Sequence, residues 1–100
     1  MASWRIFGRK RQTPQKVTFG RFEIEREGRV AYLEYSMSGK VLTLIHTEVP
    51  KELRAMGLAS SLAETALRWA RENNFKVDVV CPSVAEYLTK HPEYQDLVLR

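Results

Sequence analysis

The sequence predicts an α/β (α+β) chain in which an antiparallel β meander is followed by one β-α-β unit and a short C-terminal helix. Three observations carry that reading. Between 17 and 49, short runs rich in β-branched and aromatic residues are separated by the glycine-bearing pairs Glu27-Gly28 and Ser38-Gly39, the pattern of hairpin-linked strands. From 58 to 72, Leu58, Ala59, Leu62, Ala63, Ala66, Leu67, Trp69 and Ala70 share one half of a helical wheel, and Ser60, Ser61, Glu64, Thr65, Arg68, Arg71 and Glu72 take the other. Beyond them Val77, Val79 and Val80 form an apolar run ending at Cys81-Pro82. A strand, crossover helix and strand in one sheet form a right-handed unit with the two strands parallel.

Residues 1–16 carry Arg5, Arg9, Lys10, Arg11 and Lys16 and no acid. They sustain no period and read as a flexible basic arm ahead of a domain over 17–100. Phe22 and Ile24 alternate with Arg21, Glu23 and Glu25, which predicts a half-exposed edge strand. A second strand is expected from Arg29 to Ser36. The third, Lys40 to Val49, is apolar at odd and even positions over Val41 to Ile45. It is therefore expected at the centre of the sheet with both faces covered, and Pro50 ends it. Asn73-Asn74 stops the long helix. A second helix is expected over Val84 to Lys90 with Ser83 as its N-cap, and Pro92 ends it. Residues 93–100 receive no assignment.

A chain of 100 residues is one domain's worth. Its 44% hydrophobic content excludes the low-hydrophobicity signature of disorder. No run approaches the ~18 apolar residues of a membrane span, and no signal-peptide pattern stands at the start. The expectation is a soluble cytoplasmic protein, monomeric or weakly dimeric. A single cysteine, Cys81, excludes an internal disulfide and a multi-cysteine zinc site, and no metal is expected. The net charge of +4 resides on the arm, which holds five cations, whereas 17–100 carries 11 basic and 12 acidic side chains. Nucleic acid is thus expected as a partner only through the arm.

The segment between the third strand and the long helix, Val49-Pro50-Lys51-Glu52-Leu53-Arg54-Ala55-Met56-Gly57-Leu58-Ala59, holds the chemistry. A helix start presents unsatisfied N–H groups and partial positive charge, which suit a pyrophosphate. Glycine lets a phosphate approach the backbone, and Arg54 adds charge. Taken alone, R-x-x-G-x-A fits a helix start with a tight turn equally well.

Arg54, Gly57 and Ala59 fill the defining positions of the Q/R-x-x-G-x-G/A loop, and in this the chain resembles the GNAT-type acetyl-CoA-dependent N-acetyltransferases. Three stretches are similar to the small GNAT-like family of the N-acetyltransferase domain-containing protein 1 type. They are Ala31-Tyr32-Leu33-Glu34-Tyr35, His46-Thr47-Glu48-Val49-Pro50, and Cys81-Pro82 with Tyr87 and His91-Pro92-Glu93-Tyr94. The resemblance covers residues 20–98. Ala55 departs from the glycine usual in that loop, and Ser83 from the aromatic usual after Cys-Pro.

The resemblance implies a minimal GNAT fold with a splayed parallel strand pair, acetyl-CoA as cofactor, and an amine as acceptor, on a protein lysine or a small molecule. Main-chain groups of Thr47, Glu48 and Val49 would pair with the pantetheine arm. Amides of Ala55, Met56, Gly57, Leu58, Ala59 and Ser60, with Arg54, would hold the pyrophosphate, and Lys90 and His91 would add contacts. For His91 the alternative is packing the C-terminal turn or capping the helix. Cys81 has three readings: acetyl acceptor, pocket lining, or inert core thiol. Tyr87 either protonates the departing thiolate or packs its ring on the sheet. His46 and Glu48, alternating on one strand face, are candidates for the base that deprotonates the amine, against a structural role. The rival function is a non-catalytic CoA-binding or interaction module whose basic arm binds nucleic acid or an acidic partner.

Overall fold

Two left-handed residues, Glu27 at φ 55° and Gly28 at φ 76°, close the first hairpin as a two-residue turn whose twist matches that of the strands it joins. It connects β2 (Thr18–Arg26) to β3 (Arg29–Ser38), and β4 (Val41–Glu48) completes the meander. The computed structural model describes residues 3–7, as backbone, and 17–99. Its sheet has the order β1-β2-β3-β4-β5, where β1 is Ser3–Phe7 and β5 is Lys76–Val79. All pairs are antiparallel except β4 with β5. Helix α1 (Leu58–Glu72) has the bounds its wheel predicts and packs across β2, β3, β4 and β5. Helix α2 (Pro82–Lys90) packs on β4, β5 and α1. Short 3-10 helices at Lys51–Met56 and Pro92–Leu97 complete the described chain, and Val98 bridges Val77 in parallel.

The core lies between the helices and one face of the sheet. Phe22, Ile24, Ala31, Leu33, Tyr35, Leu42, Leu44 and Val77 from the strands meet Leu58, Leu62, Ala66, Leu67 and Ala70 of α1 and Val84 and Leu88 of α2. The residues between them along each strand, such as Tyr32, Glu34, Thr43 and Ile45, form the opposite face and are half-buried.

Four expectations need correction. Residues 3–7, assigned from sequence to a mobile arm, pair with β2 from Ser3↔Glu25 to Phe7↔Arg21. Five residues that include Trp4, Ile6 and Phe7 suit a strand but are too few to reveal a period; the rest of the arm, 1–2 and 8–16, lies outside the described residues. The β2 strand is consequently interior rather than an edge. The β4 strand is interior, between β3 and the edge strand β5, rather than at the centre of the sheet, and helices cover only one of its faces, since Leu42 and Leu44 are fully buried and Val41, Thr43 and Ile45 only partly. Ser83 does not cap α2. Cys81 occupies the N-cap position without a side-chain cap bond, and Pro82 starts the helix, because its fixed φ and missing N–H suit the first helical position.

Candidate functional site

A β-bulge decides which side chains of β4 reach the helix side. Glu34 pairs with His46 but Tyr35 with Leu44, so Ile45 is an extra residue that shifts the alternation by one. Leu42 and Leu44 point into the core. Beyond the bulge it is Thr47, opposite the buried Leu33, that lies on the helix side. His46 and Glu48, opposite Glu34 and Tyr32, lie on the open face, where His46 Nε2 and Glu48 Oε1 are 3.0 Å apart.

The parallel pair ends where the bulge begins. The amides of Val80 and Cys81 both donate to the Leu44 carbonyl, at 3.0 and 2.9 Å, and the β4–β5 register runs only from Val41↔Lys76 to Leu44↔Val79. From Ile45 onward β4 has no register with β5, which is the splayed parallel pair that the resemblance implies. Thr47 Oγ1 meets Cys81 Sγ at 3.1 Å across this divergence.

The chain then turns through the 3-10 helix at 51–56 into α1. Gly57 makes the turn at φ 70° and ψ 26°, and a Cβ built there would find no atom within 4 Å. The first intrahelical bond of α1 runs from the Ser61 amide to the Gly57 carbonyl at 3.2 Å. Leu58, Ala59 and Ser60 therefore have amides without a helical partner, and no side chain caps them. Ala55 and Met56 lie inside the 3-10 helix, whose own backbone bonds draw on its amides. Ala55 has a negative φ, so no glycine is required there. Arg54 donates from Nε to the Val49 carbonyl at 3.2 Å, bracing the loop on the end of β4.

These elements enclose a cleft of about 340 Å³ lined by Thr47, Glu48, Val49, Arg54, Gly57, Ala59, Ser60 and Ser83. Seven of these were marked from sequence. Ser83, noted from sequence as the N-cap candidate and as the departure that follows Cys-Pro, is not among the expected cofactor contacts. His46, Ala55, Met56, Leu58, Cys81, Tyr87, Lys90 and His91 are not among the lining residues. Cys81 is buried, 1% exposed, behind Thr47.

Tyr87 sits one helical turn beyond Ser83 on the same flank of α2. Its ring stacks on His91 with centroids 4.0 Å apart. Burial first, then the negative fields of Glu64, Tyr94 and Glu93, push its phenol above the ordinary 10.0, against the lowering effect of Arg68. The group is a neutral donor at physiological pH. His91 is the C-cap residue of α2. Lys90 lies about 10 Å along the axis from Ser83. No described helix is long and apolar enough to cross a membrane.

A model of the GCN5-related N-acetyl-transferase family matches residues 21–97. Protein NATD1 of Gallus gallus is 36% identical over 63 residues, which are 62% of this chain and 57% of that protein. Protein NATD1 of Homo sapiens is likewise 36% identical over 63 residues, covering 62% of this chain and 56% of its own length. The Danio rerio protein of that name is 32% identical over 72 residues, 69% of this chain and 66% of its own. The matched part of the chain thus spans somewhat more than half the length of the first two relatives.

Proposed function

The chain belongs to the GCN5-related N-acetyl-transferase family, and on that premise we propose that it binds acetyl-CoA in the cleft between β4, α1 and α2 and transfers the acetyl group to a primary amine. One observation carries the reading. Three consecutive helix-start amides, Leu58, Ala59 and Ser60, lack both intrahelical partners and a side-chain cap, beside a left-handed glycine with open space over it. Such a helix start is an anion site for a diphosphate. The residues fit the coenzyme on a second count, because the β5 side of β4 has no ladder partner beyond Leu44, which leaves Thr47, Glu48 and Val49 backbone groups for pantetheine amides.

The bound coenzyme supplies an acetyl group activated as a thioester. Arg54, held by the Val49 carbonyl, adds positive charge at the mouth of the cleft, and the Ser83 hydroxyl supplies a polar group on its far wall. His46 takes the proton of the incoming ammonium on the open face of the sheet, and Glu48, 3.0 Å away, orients the ring and balances the imidazolium. The amine attacks directly rather than through Cys81, whose sulfur is buried and engaged by Thr47. Tyr87, a phenol whose pKa burial raises further above its ordinary 10.0, is on hand to return a proton to the departing thiolate. The acceptor is a protein lysine or a small amine.

Thermal unfolding with acetyl-CoA tests the binding step. Coenzyme at ~100 times its Kd raises stability by about 2.7 kcal/mol. A folded protein whose melting temperature does not move in millimolar acetyl-CoA would sink the proposal.

A further inference from the structure

Met56 stands in the 3-10 helix immediately before Gly57 and is 41% exposed. Its sulfur is not free in space. Arg26, at the end of β2 on the helix side of the sheet, directs Nη1 to Met56 Sδ at 3.9 Å. The Nε atom of the same guanidinium is buried without a hydrogen-bond partner. A permanently charged group thus spends one N–H on a thioether, the weakest acceptor among side chains, and another on nothing. Neighbouring contacts are made with strong acceptors: Arg29 pairs with Glu52 at 3.4 Å and Arg54 with the Val49 carbonyl.

We infer that Met56 is a reversible oxidation site, and that its sulfoxide is captured by Arg26, fastening the loop that leads into α1. Hydrogen peroxide is the oxidant. The sulfur lone pair attacks one peroxide oxygen, the O–O bond breaks, the thioether becomes a sulfoxide in a two-electron oxidation, and the second oxygen leaves as water. A sulfoxide oxygen is a strong acceptor. It fills the difference between a 3.9 Å sulfur–nitrogen separation and a charge-assisted N–H···O bond of about 2.8 Å. Buried methionines are disrupted by the added polarity, but here the side chain is exposed and a donor is waiting. Met37 is packed against the core and Cys81 is 1% exposed, so neither competes for oxidant. The effect on coenzyme rests on the reading given under Proposed function: a fastened loop presents the α1 amides with less ordering left to do on binding.

The experiment compares wild type, Arg26→Leu and Met56→Leu before and after dilute hydrogen peroxide. Trypsin separates Met37, Met56 and Cys81 into peptides 30–40, 55–68 and 77–90. Peptide 55–68 should gain one oxygen at least about fivefold faster than 30–40, and methionine sulfoxide reductases A and B together should remove it. Oxidised wild type should melt no lower than the untreated protein, oxidised Arg26→Leu should melt lower than its own untreated form, and Met56→Leu should not respond. Should Arg26→Leu fail to fold, Arg26→Ala takes its place. In wild type, oxidation should tighten acetyl-CoA binding about threefold, a gain absent without Arg26. Oxidation without preference for 55–68, or one melting response whether or not Arg26 is present, overturns the inference. If untreated protein binds no acetyl-CoA, the coenzyme reading fails while the peptide and melting results still judge the capture.

Discussion

Thr47 and Cys81 are joined by a 3.1 Å hydroxyl–thiol contact across the point where β4 leaves β5. Thr47 arrives there because the bulge at Ile45 turns it to the helix side, and its hydroxyl covers a thiol that solvent does not reach. A nucleophilic cysteine needs an accessible thiolate, which this arrangement withholds. Cys81→Ser is therefore expected to keep acetyl transfer within about threefold of wild type, and peptide 77–90 should carry no acetyl group after acetyl-CoA treatment. Acetyl on Cys81 together with lost turnover in the serine variant would put the relay back in place. Thr47→Val leaves the thiol unpaired and should cost about 0.5–1.5 kcal/mol in denaturant unfolding.

Gly57 is required by its backbone rather than by crowding, since its φ is 70° and nothing stands within 4 Å of a Cβ built there. Gly57→Ala should destabilise the chain by about 1–2 kcal/mol, the cost of a left-handed residue with a side chain. The methyl also projects into the space offered to the diphosphate, so the coenzyme-induced melting shift should shrink as well. A variant that loses stability but keeps the full shift would separate the turn from the anion site.

The same residues show what sequence patterns reveal. The bounds of α1 were legible because a 15-residue amphipathic helix repeats its apolar stripe four times over. The loop was legible because Arg54, Gly57 and Ala59 keep a fixed spacing whatever surrounds them. The bulge was not. His46 and Glu48 alternate with Leu42 and Leu44 without a break, and only the cross-strand register reveals that Ile45 flips their face. Gly20 was silent for a similar reason: its Cβ would fall 2.5 Å from the Tyr35 hydroxyl on the neighbouring strand, a contact no local pattern encodes. β1 escaped notice because five residues are shorter than the window in which a period of 2 stands out.

Arg54 touches the main chain through Nε alone, which leaves charge available at an exposed position. Arg54→Ala should weaken acetyl-CoA binding about three- to tenfold, and the difference from wild type should narrow between low and high salt as exposed charges are screened. A salt-independent loss would mean that only the bracing of Val49 matters. Arg54→Lys tests the same point, because it keeps the charge but loses the Nε donor.

Burial raises the Tyr35 phenol above its ordinary 10.0. Because the folded value exceeds the unfolded one, the protonated ring's contribution is present in full below pH 10.0 and is lost as pH rises through the folded value. Urea unfolding should show stability falling from about pH 10 upward, more steeply in wild type than in Tyr35→Phe, which has no proton to lose. Parallel curves for the two proteins would contradict the assignment. Tyr87 is raised in the same direction, so Tyr87→Phe should flatten the alkaline limb further.

His46 lies on the face of β4 opposite the helices and does not line the cleft, whose residues gather on the helix side and at the start of α1; Glu48 faces His46 and also borders the cleft. This separation gives the base assignment its test. If His46 only deprotonates the amine, removing it costs turnover and spares coenzyme binding. His46→Ala should lower kcat about 10²-fold or more at neutral pH, with the acetyl-CoA melting shift unchanged. Raising the pH should recover much of the loss, since an amine that arrives already neutral needs no base. Glu48→Gln keeps the side-chain shape and a polar contact to His46 but removes the charge that balances the imidazolium, so its loss should be smaller and of the same kind. An equal fall in coenzyme affinity would assign both residues to the shape of the β4 end, and a loss independent of pH would remove His46 from proton transfer.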